Sequence, residues 1–213
     1  MILSAVQSLY DATIRRTLPR KIGVLNGVSV RRPRLFDATD VNEGYEGALI
    51  AALRARVEPS DEVVIVGGGL GVSSVVAARR GRHVTTFEAG DRYETLLETL
   101  EMNRVADRVT PRKALVGPAV SVNGTPAETS IEPSELPACD VLELDCEGSE
   151  LAILRGLERR PRVIVVECHA VYDSPESAVR EELDRLGYAV VERGAEVPEE
   201  GVFVLTAVRE DAE

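Results

Sequence analysis

Apolar positions along the chain recur with two periods, and each change of period marks an element. Val63–Val66 is a short apolar run, mostly β-branched, that predicts a buried strand. Glycines turn the chain, and Val75, Val76 and Ala77 then open a helical pattern that runs to Arg80. His83–Glu88 reads as a second strand, and Tyr93, Leu96, Leu97 and Leu100 form one apolar helix face at i, i+3, i+4 and i+7. Val109–Val116 reads as a third strand. Upstream, Tyr45, Leu49, Ala52 and Leu53 place a helix within Asn42–Val57, and Ile22–Val30 reads as a hairpin turning at Asn26-Gly27. Residues 1–18 read as one or two short helices ended by Pro19.

Residues 117–138, with Pro118, Pro126, Pro133 and Pro137, read as a long loop holding a short strand at Val120–Val122. The alternation then resumes. Cys139–Leu144 is a fourth strand, Leu151, Leu154 and Leu157 mark a helix, and Pro161–Glu167 is a fifth strand followed directly by Cys168-His169. Ser174 and Pro175 occupy N-cap and first-turn positions of a helix that buries Val179, Leu183 and Leu186 and ends at Gly187. Tyr188–Glu192 and Val202–Val208 close the chain as an antiparallel hairpin. This order predicts an α/β fold: a doubly wound, mostly parallel seven-stranded Rossmann-like sheet with a C-terminal antiparallel hairpin, its ligand over the carboxyl ends of the strands. Residues 1–42 form a basic N-terminal appendage to a main domain over 43–213.

Composition narrows the classes. No apolar run approaches the roughly 18 residues of a membrane span. Met1–Tyr10 lacks the positive n-region of a signal peptide, and three cysteines without CxxC spacing suit a reducing cytoplasm. The net charge is -11, and Lys21 and Lys113 are the only lysines, a balance that suits a salt-rich, halophilic cytoplasm where repulsion is screened. Residues 1–34 carry seven basic side chains against Asp11, a net charge of +6, which leaves -17 on the other 179 residues. Such an arm either folds back on its own acidic domain or on a partner subunit of a homo-oligomer, or binds an anionic partner such as nucleic acid. Tyr10 and Phe36 are too few aromatics for a base-stacking platform.

The stretch from Val63 to Ser74 is a nucleotide-binding turn by pattern, with glycines that admit unusual dihedrals and close ligand approach ahead of a helix N-terminus. Gly67, Gly69 and Gly71 give G-x-G-x-G, but Val72 stands where a dinucleotide fingerprint has its third glycine, which leans away from NAD. Glu88, 21 residues beyond Gly67, is placed to accept hydrogen bonds from a ribose diol.

The closing antiparallel hairpin resembles that of the class I S-adenosylmethionine (SAM) dependent methyltransferases. Leu142–Leu151, which contains Asp145-Cys146-Glu147-Gly148-Ser149-Glu150, with Leu154-Arg155-Gly156 behind it, and Val163–His169 further resemble the FkbM family within that class. The resemblance spans residues 43–208. Ile65 and Gly69 depart from it, standing where the family usually has Asp and Asn, and Ile131-Glu132 replaces a common Leu-Asp pair. It implies SAM as cofactor and methyl transfer to a hydroxyl of a sugar, glycan or other small molecule.

Alignment and removal of the hydroxyl proton are what such a transfer asks of the protein. Asp145, after the fourth strand, is the candidate base or acceptor-orienting group, and His169, after the fifth, the candidate general base. Gly67, Gly69, Gly71 and Glu88 are the candidate cofactor contacts. Glu147 and Glu150 read as first-turn helix acids, His83 as structural, and Cys139, Cys146 and Cys168 as small buried residues. No metal is assigned; the alternative is a divalent ion on Asp145, Glu167 and His169. An RNA methyltransferase using the basic arm and a non-catalytic SAM-binding module are the competing functions. The acidic, lysine-poor composition predicts a melting temperature that rises with molar KCl; a temperature that stays level or falls removes the halophilic reading.

Overall fold

A computed structural model describes residues 13, 17–35, 37, 41–117 and 129–209. The expected strand at Val120–Val122 and nearly all of the expected N-terminal helices lie outside the described residues.

The strands are β1 (Arg20–Leu25), β2 (Val28–Arg34), β3 (Val41–Asn42), β4 (Glu62–Val66), β5 (His83–Phe87), β6 (Val109–Arg112), β7 (Leu115–Val116), β8 (Ser130–Ile131), β9 (Val141–Leu144), β10 (Val163–His169), β11 (Tyr188–Val197) and β12 (Val202–Arg209). The helices are α1 (Gly47–Arg56), α2 (Val72–Ala78), α3 (Tyr93–Met102), α4 (Glu150–Gly156) and α5 (Glu176–Arg185). Seven strands form the main sheet in the order β11-β12-β10-β9-β4-β5-β6. Its pairings are parallel from β10 through β6, while β12 runs antiparallel between β10 and β11. The expected architecture is therefore present, with the last strand inserted beside β10.

β9 and β10 are buried at every position, as strands covered on both faces must be. One face carries Val63, Ile65, Val141, Val163 and Val165 under α1, α2 and α3; the other carries Val64, Val66, Leu142, Leu144, Ile164 and Val166 under α4 and α5. No helix among the described residues is long and apolar enough to cross a membrane.

The N-terminal hairpin forms as its Asn-Gly signal requires, with Asn26 (φ 49°) and Gly27 (φ 77°) both left-handed. It is packed into the domain. Leu25, Val28 and Val30 join the core beneath α2 and α3, Arg20 pairs with Glu98 at 2.5 Å, and Arg54 and Arg79 donate to the carbonyls of Asn26 and Gly27.

Several boundaries differ from expectation for local reasons. Asn42 is held by β3, which pairs with Leu25 of β1, so α1 begins at Gly47. The third strand breaks after Arg112: β6 closes the edge of the main sheet, and β7 turns away to pair with β8 in a separate two-stranded sheet. Pro175, not Ser174, is the N-cap of α5. β11 runs on to Val197 across two register shifts. That extension brings Glu196 to the start of α1, where its carboxylate accepts the N–H groups of Gly47, Ala48 and Leu49 at 3.1, 2.6 and 3.2 Å. Leu25 is 1% exposed, so Leu25→Ala should lower unfolding free energy by about 2–5 kcal/mol in urea titration; a loss near zero would mean that the hairpin is peripheral.

Candidate active site

β4 ends at Val66 and the chain turns through Gly67 at φ 99°. A Cβ at Gly67 would lie 1.7 Å from the Asp145 carbonyl oxygen, so glycine alone lets the ends of β4 and β9 meet. The N–H groups of Gly67 and Gly68 both donate to the Phe87 carbonyl at 2.9 Å, and that of Gly71 donates to Gly68 at 2.8 Å. The Gly69 N–H donates to Glu88 at 2.7 Å, and the second Glu88 oxygen accepts the Gly90 N–H at 2.7 Å. These glycine N–H groups are already used within the protein, so the turn is not the free cradle that a pyrophosphate needs. Val72 is buried as the first residue of α2.

A cavity of about 380 Å³ lies over this edge, walled by Gly67–Leu70, Glu88–Arg92, Ala114–Val116, Asp145–Glu147 and Glu46. Its volume is in the range of small-molecule pockets. Glu88 is oriented by two backbone donors with lone pairs remaining for a diol. Gly67, Gly69, Glu88 and Asp145 are thus brought to one cavity. Gly71 stands behind it, in close contact with Leu96 and Thr99 of α3.

Asp145 continues the side of β9 that faces Glu167, and His169 ends β10. His169 Nε2 lies 3.2 Å from Glu167 and 3.7 Å from Asp145, while Nδ1 lies 3.2 Å from Glu150. Glu150 also accepts the N–H groups of Cys146 and Gly148. Burial alone would lower the His169 pKa, but hydrogen bonding to Glu150 and Glu167 outweighs it and raises the value to about 9. In the ligand-free site the imidazole is therefore a cation at neutral pH, whereas an ordinary value would have left it ready to accept a proton. Burial likewise pushes Glu150 and Glu167 up, and His169 more than compensates, holding both below the usual carboxylate range. Asp145 is driven well above that range by burial and then by Glu167 beside it.

Three acids here were not picked out as site residues from sequence. Glu46 borders the cavity from the left-handed residue that precedes α1, and burial raises its pKa to about 7. Glu143 is 1% exposed on β9, and burial raises its pKa well above the ordinary value. Glu150, read as a helix-dipole acid, instead fixes His169. The Asp-x-Glu-Gly-x-Glu spacing was the available clue for Glu150; Glu46 and Glu143 had none. His83 bonds Thr110 at 2.8 Å in the structural role expected of it. Burial pushes the Cys139 and Cys168 thiols up to about 12, so both are inert.

The strand order, the glycine turn after β4 and the acid after β5 define a class I methyltransferase fold. The family profile of the methyltransferase FkbM domain matches residues 118–190 and bears out the resemblance carried by Leu142–Leu151 and Val163–His169. The match covers about a third of the chain and makes this part similar to the FkbM domain, a family whose cofactor is SAM. No curated protein matches it. Among solved structures, Trm5b from Pyrococcus abyssi superimposes with a TM-score of 0.58 at 12% identity over 90% of this chain. The chain spans 56% of that protein's length. Ribosomal protein L11 methylase from Lactobacillus delbrueckii subsp. bulgaricus gives 0.57 at 11% identity, covering 84% of this chain and 90% of that one. TYW2 from M. jannaschii, in complex with AdoMet, gives 0.54 at 13% identity, covering 90% and 86%. At these identities the likeness is one of fold. Gly67→Ala should drive Asp145 from its place and lower stability by about 1–3 kcal/mol or more, read as a fall in melting temperature; an unchanged melting temperature would show that the two strand ends can part freely.

Proposed function

We infer that the protein transfers the methyl group of SAM to a hydroxyl oxygen of a sugar, glycan or other small molecule. The observation that carries this reading is the convergence of Asp145, Glu167 and His169 beside the cavity that Glu88 and the glycine turn border. When bound, SAM supplies a methyl group activated by its sulfonium sulfur.

The residues present fit that cofactor. Glu88, held by two backbone N–H groups, accepts from the ribose hydroxyls. Gly67–Leu70 and Ala114–Val116 wall the cavity. Asp145 orients the acceptor hydroxyl, and Glu167, the carboxylate that His169 keeps ionised, is the member of the group open to its proton. Glu150 positions His169 through Nδ1. Val171 and Tyr172, 70% and 51% exposed, follow His169 and offer an apolar rim for an organic acceptor.

An RNA acceptor is the second reading, favoured by the exposed Arg31 and Arg32 on β2. Transfer of labelled methyl groups to small hydroxyl compounds and to RNA, run side by side, separates the two. Calorimetry should show SAM binding and no NAD binding; NAD binding without SAM overturns the reading. Asp145→Asn and His169→Ala should each cut turnover by about 10²–10⁴-fold with SAM affinity kept, whereas normal turnover in both would remove them from the catalytic group. Glu88→Ala should instead weaken SAM binding itself.

A further inference from the structure

We propose that Asp145, Glu167 and His169 form a site for one divalent cation at the acceptor end of the cavity. Each residue offers one ligand atom, and these atoms all lie within 4.8 Å of one another. Ligands about 2.1 Å from one ion and at right angles to each other are about 3.0 Å apart. The separations from His169 Nε2, 3.2 Å to Glu167 and 3.7 Å to Asp145, need shifts of only tenths of an ångström to meet that geometry.

The imidazole is already turned for such a role. Its Nδ1 faces Glu150, whose side chain is fully buried and is itself fixed by the N–H groups of Cys146 and Gly148. With Nδ1–H donated to Glu150, an ion that displaces the Nε2 proton would meet the imidazole lone pair between the two carboxylates, the outer-shell arrangement found around metal-ligating histidines.

Glu143 supplies an independent observation. It lies on the same side of β9 as Asp145, opposite Val165 of β10, two residues before Glu167. Neither of its carboxyl oxygens has a partner in hydrogen-bonding geometry, although the Ser73 hydroxyl is nearby. Side chains two apart on a strand point to the same face, so the Glu143 carboxyl lies on the face from which Asp145 and Glu167 project. A buried carboxyl group without a hydrogen-bond partner is rare, and a cation close by would let it ionise. A divalent ion between Asp145, Glu167 and His169 provides one.

Two carboxylate oxygens with one imidazole nitrogen suit an ion of intermediate hardness, for which Mn²⁺ is the natural probe. The cation site rests on these residues alone. Its role, lowering the pKa of an acceptor hydroxyl beside SAM, rests on the methyl-transfer reading.

The test uses the full chain, stripped with EDTA and titrated with Mn²⁺ by calorimetry and electron paramagnetic resonance in the absence of SAM. One Mn²⁺ per chain is expected. Affinity should be weakened about tenfold or more in Glu167→Gln and in His169→Gln, each checked for native circular dichroism, and unchanged in Glu101→Gln, an exposed acid of α3. No Mn²⁺ uptake by the parent protein, or uptake that both site variants leave intact, overturns the proposal. SAM binding to stripped protein is measured in parallel. If SAM binds and Mn²⁺ does not, the cofactor's own positive charge answers these acids and the cation site is overturned while methyl transfer stands. If Mn²⁺ binds and SAM does not, the cation site stands and the methyl-transfer reading falls.

Discussion

The site depends on the contact between the carboxyl ends of β4 and β9. The Asp145 N–H donates to the Val66 carbonyl at 2.9 Å, and the Asp145 carbonyl lies where a side chain at residue 67 would begin. With these ends joined, the glycine turn and the acidic segment after β9 open onto one cavity. Glu88 joins the same cavity because β5 lies in register beside β4 and ends where the turn begins. A side chain at Gly67 would separate the two halves of the site, the glycine turn with Glu88 and the acidic segment after β9.

The second half is dominated by like charge. Glu46, Glu143, Asp145 and Glu167 interact with one another across the end of one face of the sheet, and His169 is the cation placed directly among them. Burial and mutual repulsion keep some of these carboxyls protonated, while the imidazole keeps Glu150 and Glu167 ionised. Such a cluster is costly in a protein interior and contributes nothing that apolar packing would not supply more cheaply. Its persistence at the end of an otherwise apolar sheet is the behaviour of a functional site.

Much of this was legible in the chain. Strand identity followed from short apolar runs, the hairpin from Asn26-Gly27, and the cofactor edge from the glycine spacing with Glu88. The cofactor class rested on the closing hairpin and the family resemblance, with Val72 leaning away from NAD; in the fold the neighbouring glycine N–H groups are spent on Phe87, Gly68 and Glu88. What escaped the sequence reading was long-range. Glu196 caps α1 from a strand about 150 residues away, and Glu46 reaches the cavity only because that cap fixes where α1 starts. Glu143 looked like any strand residue, since one acid in an apolar run does not announce which face it takes. The charge state of His169 depended on two carboxylates whose positions only the fold supplies.

The basic N-terminal stretch shows the same limit from the other side. Its net charge of +6 suggested an arm, yet the described part is held by apolar packing as much as by charge. Leu25, Val28 and Val30 are buried beneath helices of the main domain, so removing the hairpin would expose α2 and α3 to water. Arg20 of the central strand β1, on Glu98, ties this small sheet to α3, while Arg31 and Arg32 of β2 are exposed. Charge along a chain counts partners without assigning them. Burial assigns them, and here it gives the hairpin to its own domain.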